Sequence, residues 1–318
     1  MPILGIFASQ NYPRIVAVQG AYFAGGYSST GAANVSGIDK IAFSNDSKTT
    51  LTETLSSARN SSAGAANSGT AAYFAGGMLT YPTTTSAIDK ITFLGDTRST
   101  LSATLSTARA YLAGMANSGT AAYFAGGFDG AFLSGIDKIA FSADTKTTLS
   151  ATLSVNRAYI TGAANSGTAG YTGSGYGGAY QNSVNKILFS NDTVSTLSAT
   201  LTVDGTDNSA AANSGTAAYW AGGAASNGST LVNSVDKITF SNDSKSTISA
   251  TLSEVIYQQA GAAKSGTAAY WAGGTVAAYA SRSSIQKLAF SGESISTLSA
   301  TLTSARSTPG GAANSGTL

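Results

Sequence analysis

Neither cysteine nor histidine occurs among the 318 residues of the chain, and each absence removes a class of chemistry. Without cysteine there are no disulfides and no thiolate nucleophile or ligand, and the redox compartment cannot be inferred. Without histidine the chain lacks the commonest general base, the commonest metal ligand and the usual pH switch near neutrality. A Ser-His-Asp triad and the usual zinc and copper sites are therefore excluded.

Charge is also scarce, because only 10% of the residues are charged and the formal net charge is +2. This balance gives no electrostatic basis for binding nucleic acid or an anionic membrane surface. No apolar run approaches the roughly 20 residues of a membrane span. The start "MPILGIFASQ" has no basic region and no clear cleavage site, so we expect no signal peptide. With 42% apolar residues the chain is expected to be a soluble, folded protein without a cofactor.

The chain is organised as a repeat of about 50 residues. The motif "GTAAYFAGG" occurs at Gly69–Gly77 and again, unchanged, at Gly119–Gly127. Aligned on the motif's tyrosine, successive copies are spaced by 51, 50, 48, 48 and 51 residues; these tyrosines are Tyr22, Tyr73, Tyr123, Tyr171, Tyr219 and Tyr270. A fixed period of this length indicates supersecondary units that stack on one another.

Each repeat contains four segments of strand length joined by turn-forming residues. An Ala-rich segment ("AGAAN", Ala63–Asn67) precedes "TAAYFAGG", which is followed by "IDKIAF" (Ile38–Phe43 in the first repeat) and "TLSATL" (Thr100–Leu105). The last segment alternates apolar and polar residues, as a strand does, and Gly, Asn, Asp and Ser at the joints favour turns. Six such repeats predict an all-β protein, a six-bladed β-propeller of four-stranded antiparallel blades. Small residues in the first segment suit strands that converge on an axis, and the large aromatic residues of the second segment suit the wider space farther out. A linear β-solenoid does not need this change from small to large side chains.

The ends of the chain predict how the ring closes. The C-terminal stretch "GGAANSGTL" (Gly310–Leu318) matches the internal copies of the first strand, so we expect this C-terminal strand to complete the first blade. The segment "RIVAV" (Arg14–Val18) is a competing candidate for the same place. With C-terminal closure the propeller spans 20–318, and residues 1–19 remain as a separate segment.

Almost the whole chain from about residue 20 resembles Kelch repeats. The resemblance rests on the glycine doublet of "AGG" (Ala75–Gly77), on "IDKIAF" and on "STAR" (Ser106–Arg109). It departs from the Kelch pattern because "TLSATL" lacks the usual tryptophan and because repeats four and five lose the arginine. The resemblance implies the fold and carries no activity with it.

The first 22 residues resemble the N-terminus of many tailed-bacteriophage structural proteins, through "MPILGIFASQ" and "QGAY" (Gln19–Tyr22). The resemblance implies that residues 1–19 attach the propeller to other virion proteins, at a tail or baseplate, where the protein would be assembled as an oligomer. An extra strand packed on the first blade is a compatible alternative.

Most of the charged residues recur once per repeat, as framework residues do. Six acids share one turn position and four more share the third strand; they are Asp46, Asp96, Asp144, Asp192, Asp243 and Glu293, and Asp39, Asp89, Asp137 and Asp236. Six lysines lie six residues before the turn acids and predict ion pairs within each hairpin; they are Lys40, Lys90, Lys138, Lys186, Lys237 and Lys287. The glycine doublet is equally periodic and ends a strand, so it is read as architecture rather than a phosphate loop.

The carboxylates outside this framework leave two weaker possibilities open. "DGTDN" (Asp204–Asn208) could offer oxygens to Ca²⁺, although it matches no complete loop motif. A carbohydrate-active enzyme that uses only carboxylates would draw on Asp129, Asp204, Asp207 or Glu254. Neither is the leading interpretation, and the protein is not expected to be an enzyme.

The repeats vary on one face only. Turns on one side read "NSGT" or "KSGT" almost without change, whereas loops between the second and third strands differ in every repeat. These loops hold Tyr27, Tyr81, Phe128, Phe132, Tyr176, Tyr180 and Tyr279, and the blade-to-blade loops on the same face add Tyr111, Tyr159 and Tyr257 with Arg59, Arg109, Arg157 and Arg306. Tyr and Arg beside Ser, Gly and Asn are typical of adaptable binding surfaces, and flat aromatic rings suit sugars. Unconstrained drift would also vary loops, and four arginines at one register also suit structural hydrogen bonding.

The sequence therefore favours a non-catalytic virion adhesin at the tail fibre or tail tip. Its variable face would bind a host-surface glycan or protein. The alternatives are a passive virion structural or decoration protein, the carboxylate enzyme, and a cellular Kelch scaffold.

Overall fold

The computed structural model describes residues 17–226 and 230–314 and is all-β. Six four-stranded antiparallel sheets are arranged as a six-bladed β-propeller, so the predicted fold is confirmed. Residues 1–16, which contain most of the predicted anchoring segment, lie outside the described residues. No helix in the described part of the chain is long and apolar enough to cross a membrane.

Every blade has the same strand order, from the axis outwards, as the repeat predicts. The innermost strands, in blades one to six, are Gly310–Asn314, Ala63–Asn67, Ala113–Asn117, Thr161–Asn165, Ser209–Asn213 and Ala260–Lys264. The second strands are Gly20–Ala24, Ala71–Ala75, Ala121–Phe128, Ala169–Gly173, Ala217–Ala221 and Ala268–Ala272. The third strands are Gly37–Ala42, Ile88–Thr92, Phe132–Ala140, Gln181–Leu188, Val235–Thr239 and Ile285–Ala289. The outermost strands are Lys48–Thr54, Thr97–Thr100, Thr145–Thr148, Val194–Thr206, Ser244–Thr247 and Ser294–Thr297.

Short elements decorate the loops between the second and third strands. Two small ribbons pair Tyr27–Ser28 with Ala33–Asn34 and Met78–Thr80 with Thr83–Thr84. Ala224–Ala225 pairs with the end of the long outer strand of blade four, and Ala277–Tyr279 forms one 3₁₀ turn.

The C-terminal strand closes the ring, as predicted. Gly310–Asn314 pairs antiparallel with Gly20–Ala24, with Ala312 opposite Tyr22. This strand also packs against the innermost strands of blades two and six, so the innermost strands form a continuous ring. The last strand of the chain therefore completes the blade that the first repeat begins, and blade one has no missing inner edge.

Glycine lets the innermost strands approach closely at the axis. A Cβ atom on Gly64 would overlap the carbonyl oxygen of Gly311, and one on Gly114 would overlap that of Gly64. The same conflict continues around the ring at Gly162, Gly261 and Gly311. Small residues in the first segment of each repeat are thus a steric requirement of the axis.

The periodic lysines form ion pairs between blades, so the prediction of pairs within each hairpin is wrong. Lys40 Nζ lies 2.8 Å from Asp96 of the next blade, and the hydroxyl of Tyr22 donates to the same carboxylate at 2.6 Å. The pattern continues around the ring until Lys287 and Tyr270 reach Asp46 of blade one. The reason is that Tyr22 and Lys40 are cross-strand partners, and the sheet face that they share packs on the neighbouring blade.

The periodic arginines are buried inside the blade-to-blade packing. Arg59, Arg109 and Arg306 pair with Asp89, Asp137 and Asp39 at 2.9–3.0 Å. Arg157 has no acidic partner among the described residues and donates instead to Asn185 at 2.8 Å and to two backbone carbonyls. Burial lowers the pKa of Arg157 to about 10, still far above neutrality. Each arginine therefore fastens the end of one blade to the third strand of the next.

A candidate binding site at the axial end of the propeller

Six residues, one from each blade-to-blade connection, form a closed ring of backbone hydrogen bonds around the axis. We call this ring the collar: Ser61, Tyr111, Tyr159, Asp207, Gln258 and Thr308. Each N–H donates to the carbonyl oxygen of the preceding collar residue at 2.7–3.3 Å, and the N–H of Ser61 closes the ring on Thr308. All six have a left-handed backbone, with φ between 50° and 61°. The collar thus satisfies its own main-chain groups.

Since main-chain hydrogen bonds close the collar, its six side chains can differ. Ser, Tyr, Tyr, Asp, Gln and Thr occupy the six equivalent places. The sequence contained a signal for this ring, because every collar residue lies six positions before the Asn or Lys that ends an innermost strand. That register aligns Asp207 with Tyr111 and Tyr159, although no other acid occurs at this position of the repeat.

The collar surrounds the mouth of a narrow axial pocket of about 80 Å³. Tyr111, Tyr159, Asp207 and Gln258 line it from the collar, and Ser62 and Gln259 line it from the next layer. The rings of Tyr111 and Tyr159 lie against each other, with centroids 4.2 Å apart. No lysine or arginine is among the described residues that line this pocket.

Burial perturbs the titration of this site. It raises the pKa of the Asp207 carboxyl to about 7, while hydrogen bonds with Thr206 and Gln258 act in the opposite direction. Burial also raises the pKa values of Tyr111, Tyr159 and Tyr257, and the charge of Asp207 raises them further. These tyrosines are therefore neutral at physiological pH, whereas Asp207 titrates close to it.

A second pocket of about 230 Å³ opens beside the first and shares Asp207 and Tyr159 with it. Its remaining lining residues are Tyr176, Tyr180 and Thr206. Tyr176 and Tyr180 meet edge to face at 5.0 Å, and Phe132 contacts Tyr176 at 5.4 Å. Phe128 lies 5.3 Å from Phe132, so an aromatic row leads from the loop of blade three to the axial mouth.

The structure thus brings together six of the predicted face residues: Phe128, Phe132, Tyr176, Tyr180, Tyr111 and Tyr159. Tyr257 is half-buried, and its pKa responds to both Asp207 and Tyr279, which places it near the same carboxylate. Tyr81 and Tyr279 are highly exposed, at 83% and 81%, whereas Tyr27 is exposed by 37% and lies outside the two pockets.

Arg109 and Arg157 are a correction to the predicted contact residues. Their side chains are 1% and 0% exposed, and their guanidinium groups bond to Asp137 and Asn185 inside the protein. A ligand on the surface cannot reach these groups without breaking the blade packing. Their role in the structure is the alternative one, structural hydrogen bonding between neighbouring blades.

The possible Ca²⁺ loop at Asp204–Asn208 gains no support from side-chain geometry. The Oδ1 atom of Asn208 accepts hydrogen bonds from the hydroxyls of Thr161 and Ser174, each at 3.0 Å. Within residues 17–226 and 230–314, no group of three or more acidic side chains could hold a metal ion.

No family model matches this chain, and no curated protein matches its sequence.

Proposed function

We propose that this protein is a non-catalytic adhesin of a phage virion, which binds a host-surface glycan or protein through the loop face of its propeller. The observation that carries the proposal is the tyrosine-lined pocket beside the collar, formed by Tyr159, Tyr176 and Tyr180 with Asp207. Aromatic rings beside a few polar groups are the usual composition of a binding pocket. The same rings provide large contact area at low cost in conformational entropy.

The opposite end of the propeller supports this assignment by contrast. There, the Asn side chain that ends an innermost strand accepts the Gly N–H of the neighbouring blade's turn, as Asn67 does from Gly119 at 2.9 Å. Equivalent bonds recur at Asn117, Asn165, Asn213 and Asn314. Side chains at that end are used for holding blades together, so variation is confined to the loop face.

The contribution of the pocket tyrosines can be tested directly. We expect Tyr176→Ala combined with Tyr180→Ala to weaken binding to bacterial cells by about tenfold or more, since buried aromatic contacts contribute about 0.5–1.5 kcal/mol each beyond their area. Flow cytometry with labelled protein on a panel of strains measures this. Leu94→Ala removes an exposed side chain from the opposite end and should bind like the wild type. If the tyrosine variant binds all strains unchanged, or if the wild type binds none, the adhesin role fails and a passive structural role is favoured.

Attachment to a virion rests on the resemblance of the first 22 residues to tailed-phage structural proteins. We expect deletion of residues 1–19 to abolish incorporation into particles while the isolated propeller keeps its cooperative thermal unfolding. Immunoblots of purified particles give the first result and circular dichroism the second. Particles that incorporate the shortened protein normally would exclude an anchoring role for this segment.

A further inference from the structure

Unpartnered polar groups converge on the floor of the axial pocket. The hydroxyls of Ser62 and Ser209 and both polar atoms of the Gln259 amide have no hydrogen-bond partner within the described residues. These side chains are at most 8% exposed. All three line a cavity of about 70 Å³ directly below the collar, which Ser62 and Gln259 share with the axial pocket. A buried polar atom without a partner has lost its hydrogen bonds to water and gained none in return, so such a cluster calls for an explanation.

The carboxylate of Asp207 lines the pocket above this floor. Asp207 has no lysine or arginine within ion-pair distance in the described part of the chain. Every acid of the repeated framework, by contrast, is paired with a lysine or arginine; Asp46, Asp89 and Asp236 are examples. The titratable groups around Asp207 are the hydroxyls of Tyr111, Tyr159 and Tyr257, whose rings are neutral and electron-rich.

Asp207 and the tyrosines around it together favour a positively charged ligand. A half-buried carboxylate beside tyrosine faces repels an anion, and it attracts an ammonium group by direct charge and by cation–π interaction. The free hydroxyls and amide of the floor can both donate and accept, which suits a partner rich in hydroxyl groups. The side pocket of 230 Å³ is smaller than the roughly 300–1,000 Å³ of drug-sized sites, and its tyrosines offer faces for a single sugar ring.

We infer that this end of the axis binds an amino sugar that carries a free, unacetylated amino group. The ammonium lies at Asp207, the sugar ring packs against Tyr159, Tyr176 and Tyr180, and sugar hydroxyls bond to Ser62 and Gln259. This inference rests on the proposed adhesin function and narrows its ligand to one class of glycan. Acetylation removes the positive charge and adds bulk, so an N-acetylated sugar loses the main attraction.

The test compares two sugars that differ only in acetylation. A short glucosamine oligosaccharide and its fully N-acetylated form are titrated calorimetrically into the wild type, Asp207→Asn and Asp204→Asn. Asp204 is exposed, three residues from Asp207, and loses the same charge, so it is the matched control. We expect the wild type and Asp204→Asn to bind the free amino form at least tenfold more tightly than the acetylated form. Asp207→Asn should lose that preference.

Three outcomes would overturn the inference: equal or tighter binding of the acetylated sugar, an unchanged preference in Asp207→Asn, or no binding of either sugar.

The same titration is carried out with Nα-acetyl-lysine amide, which carries an ammonium group but no sugar. If this compound binds as tightly as the glucosamine oligosaccharide, the site recognises a lysine side chain rather than a sugar. The double variant Tyr176→Ala, Tyr180→Ala distinguishes a failure of the adhesin function from a failure of the amino-sugar inference. If it still loses cell binding while the sugars fail to bind, the adhesin function stands and only the amino-sugar class is wrong.

Proton linkage gives an independent check on Asp207. The folded pKa of about 7 lies above the unfolded value of about 4, so the folded state holds more protons between these values. The contribution of Asp207 to stability should therefore fall as pH rises from about 4 to about 7 and level off above, so the difference in stability between the wild type and Asp207→Asn should change over this interval. Binding of the amino sugar should rise as the carboxylate ionises, and should fall again once the sugar amine loses its own proton. Thermal unfolding at several pH values also verifies that the variant is folded.

Discussion

Deletion of residues 310–318 is expected to destroy the cooperative fold of the entire propeller, although it removes only one strand. Gly310–Asn314 provides all of the inner-edge pairing of blade one and packs on the innermost strands of two other blades. Its loss exposes the main-chain edge of Gly20–Ala24 and opens the ring. Since domains are stable by only about 5–15 kcal/mol, the loss of a central strand removes most of that margin. We expect no cooperative thermal transition and aggregation at micromolar concentration.

Two controls make this result specific to ring closure. Truncation after Asn314 keeps the whole strand, including the Asn314 side chain that accepts the Gly69 N–H at 3.0 Å, and should melt like the wild type. A synthetic peptide of residues 310–318 should restore the transition in the shortened chain, and a scrambled peptide should not. A monomeric deletion variant with an unchanged melting temperature would show that closure by this strand does not stabilise the fold.

Arg109→Ala is expected to destabilise the protein by about 3–5 kcal/mol, the range typical when one partner of a buried ion pair is removed. Asp137 is fully buried and accepts one 3.0 Å bond from Arg109, and the Ser106 N–H and hydroxyl donate to the same oxygen at 2.9 Å. Without the guanidinium, the carboxylate stays buried with no counter-charge. Urea unfolding monitored by fluorescence measures the change in the free energy of unfolding.

Another blade connection of the same chain has an uncharged pair at the positions of Arg109 and Asp137. Between blades five and six, Ile256 occupies the arginine position and Gln286 the aspartate position, and both are buried. The double variant Arg109→Ile, Asp137→Gln should therefore recover most of the lost stability, because no charge remains buried. Arg282→Ala breaks the partly exposed pair with Glu254 and should cost no more than about 1 kcal/mol. A single variant as stable as the wild type, or a double variant no better than the single, would contradict this account.

Much of the architecture followed from repetition within the sequence. The spacing of Tyr22 and its five counterparts set the number of blades, and the polar turns set four strands in each. The match between Gly310–Leu318 and the inner-strand copies predicted the closing strand. Repetition is informative here because every blade meets the same steric and hydrogen-bonding demands, so residues such as Gly64 and Gly114 recur wherever the axis requires them.

The sequence predicted the loop tyrosines of the site but not the role of Asp207. The unequal variation of the two faces pointed to the loops that carry Tyr176 and Tyr180, and these residues do line a pocket. The importance of Asp207 was not visible, because its carboxylate acquires its environment from Tyr111, Tyr159 and Gln258, which belong to other blade connections. The local sequence also does not show that the Arg109 side chain is buried between blades, whereas Tyr111, two residues later, lines the axial pocket.

The sequence by itself therefore determined the blade count, the strand order and the closure, because these depend on local propensity and on repetition along the chain. Only the tertiary structure decided which blade supplies each partner. A lysine such as Lys40 has the same periodic relation to Asp46 in its own hairpin as to Asp96 in the next blade, and the stacking of sheet faces selects Asp96. The collar has the same origin, since five of its hydrogen bonds join residues about 50 positions apart and the sixth joins Ser61 to Thr308, which meet only when the ring is closed.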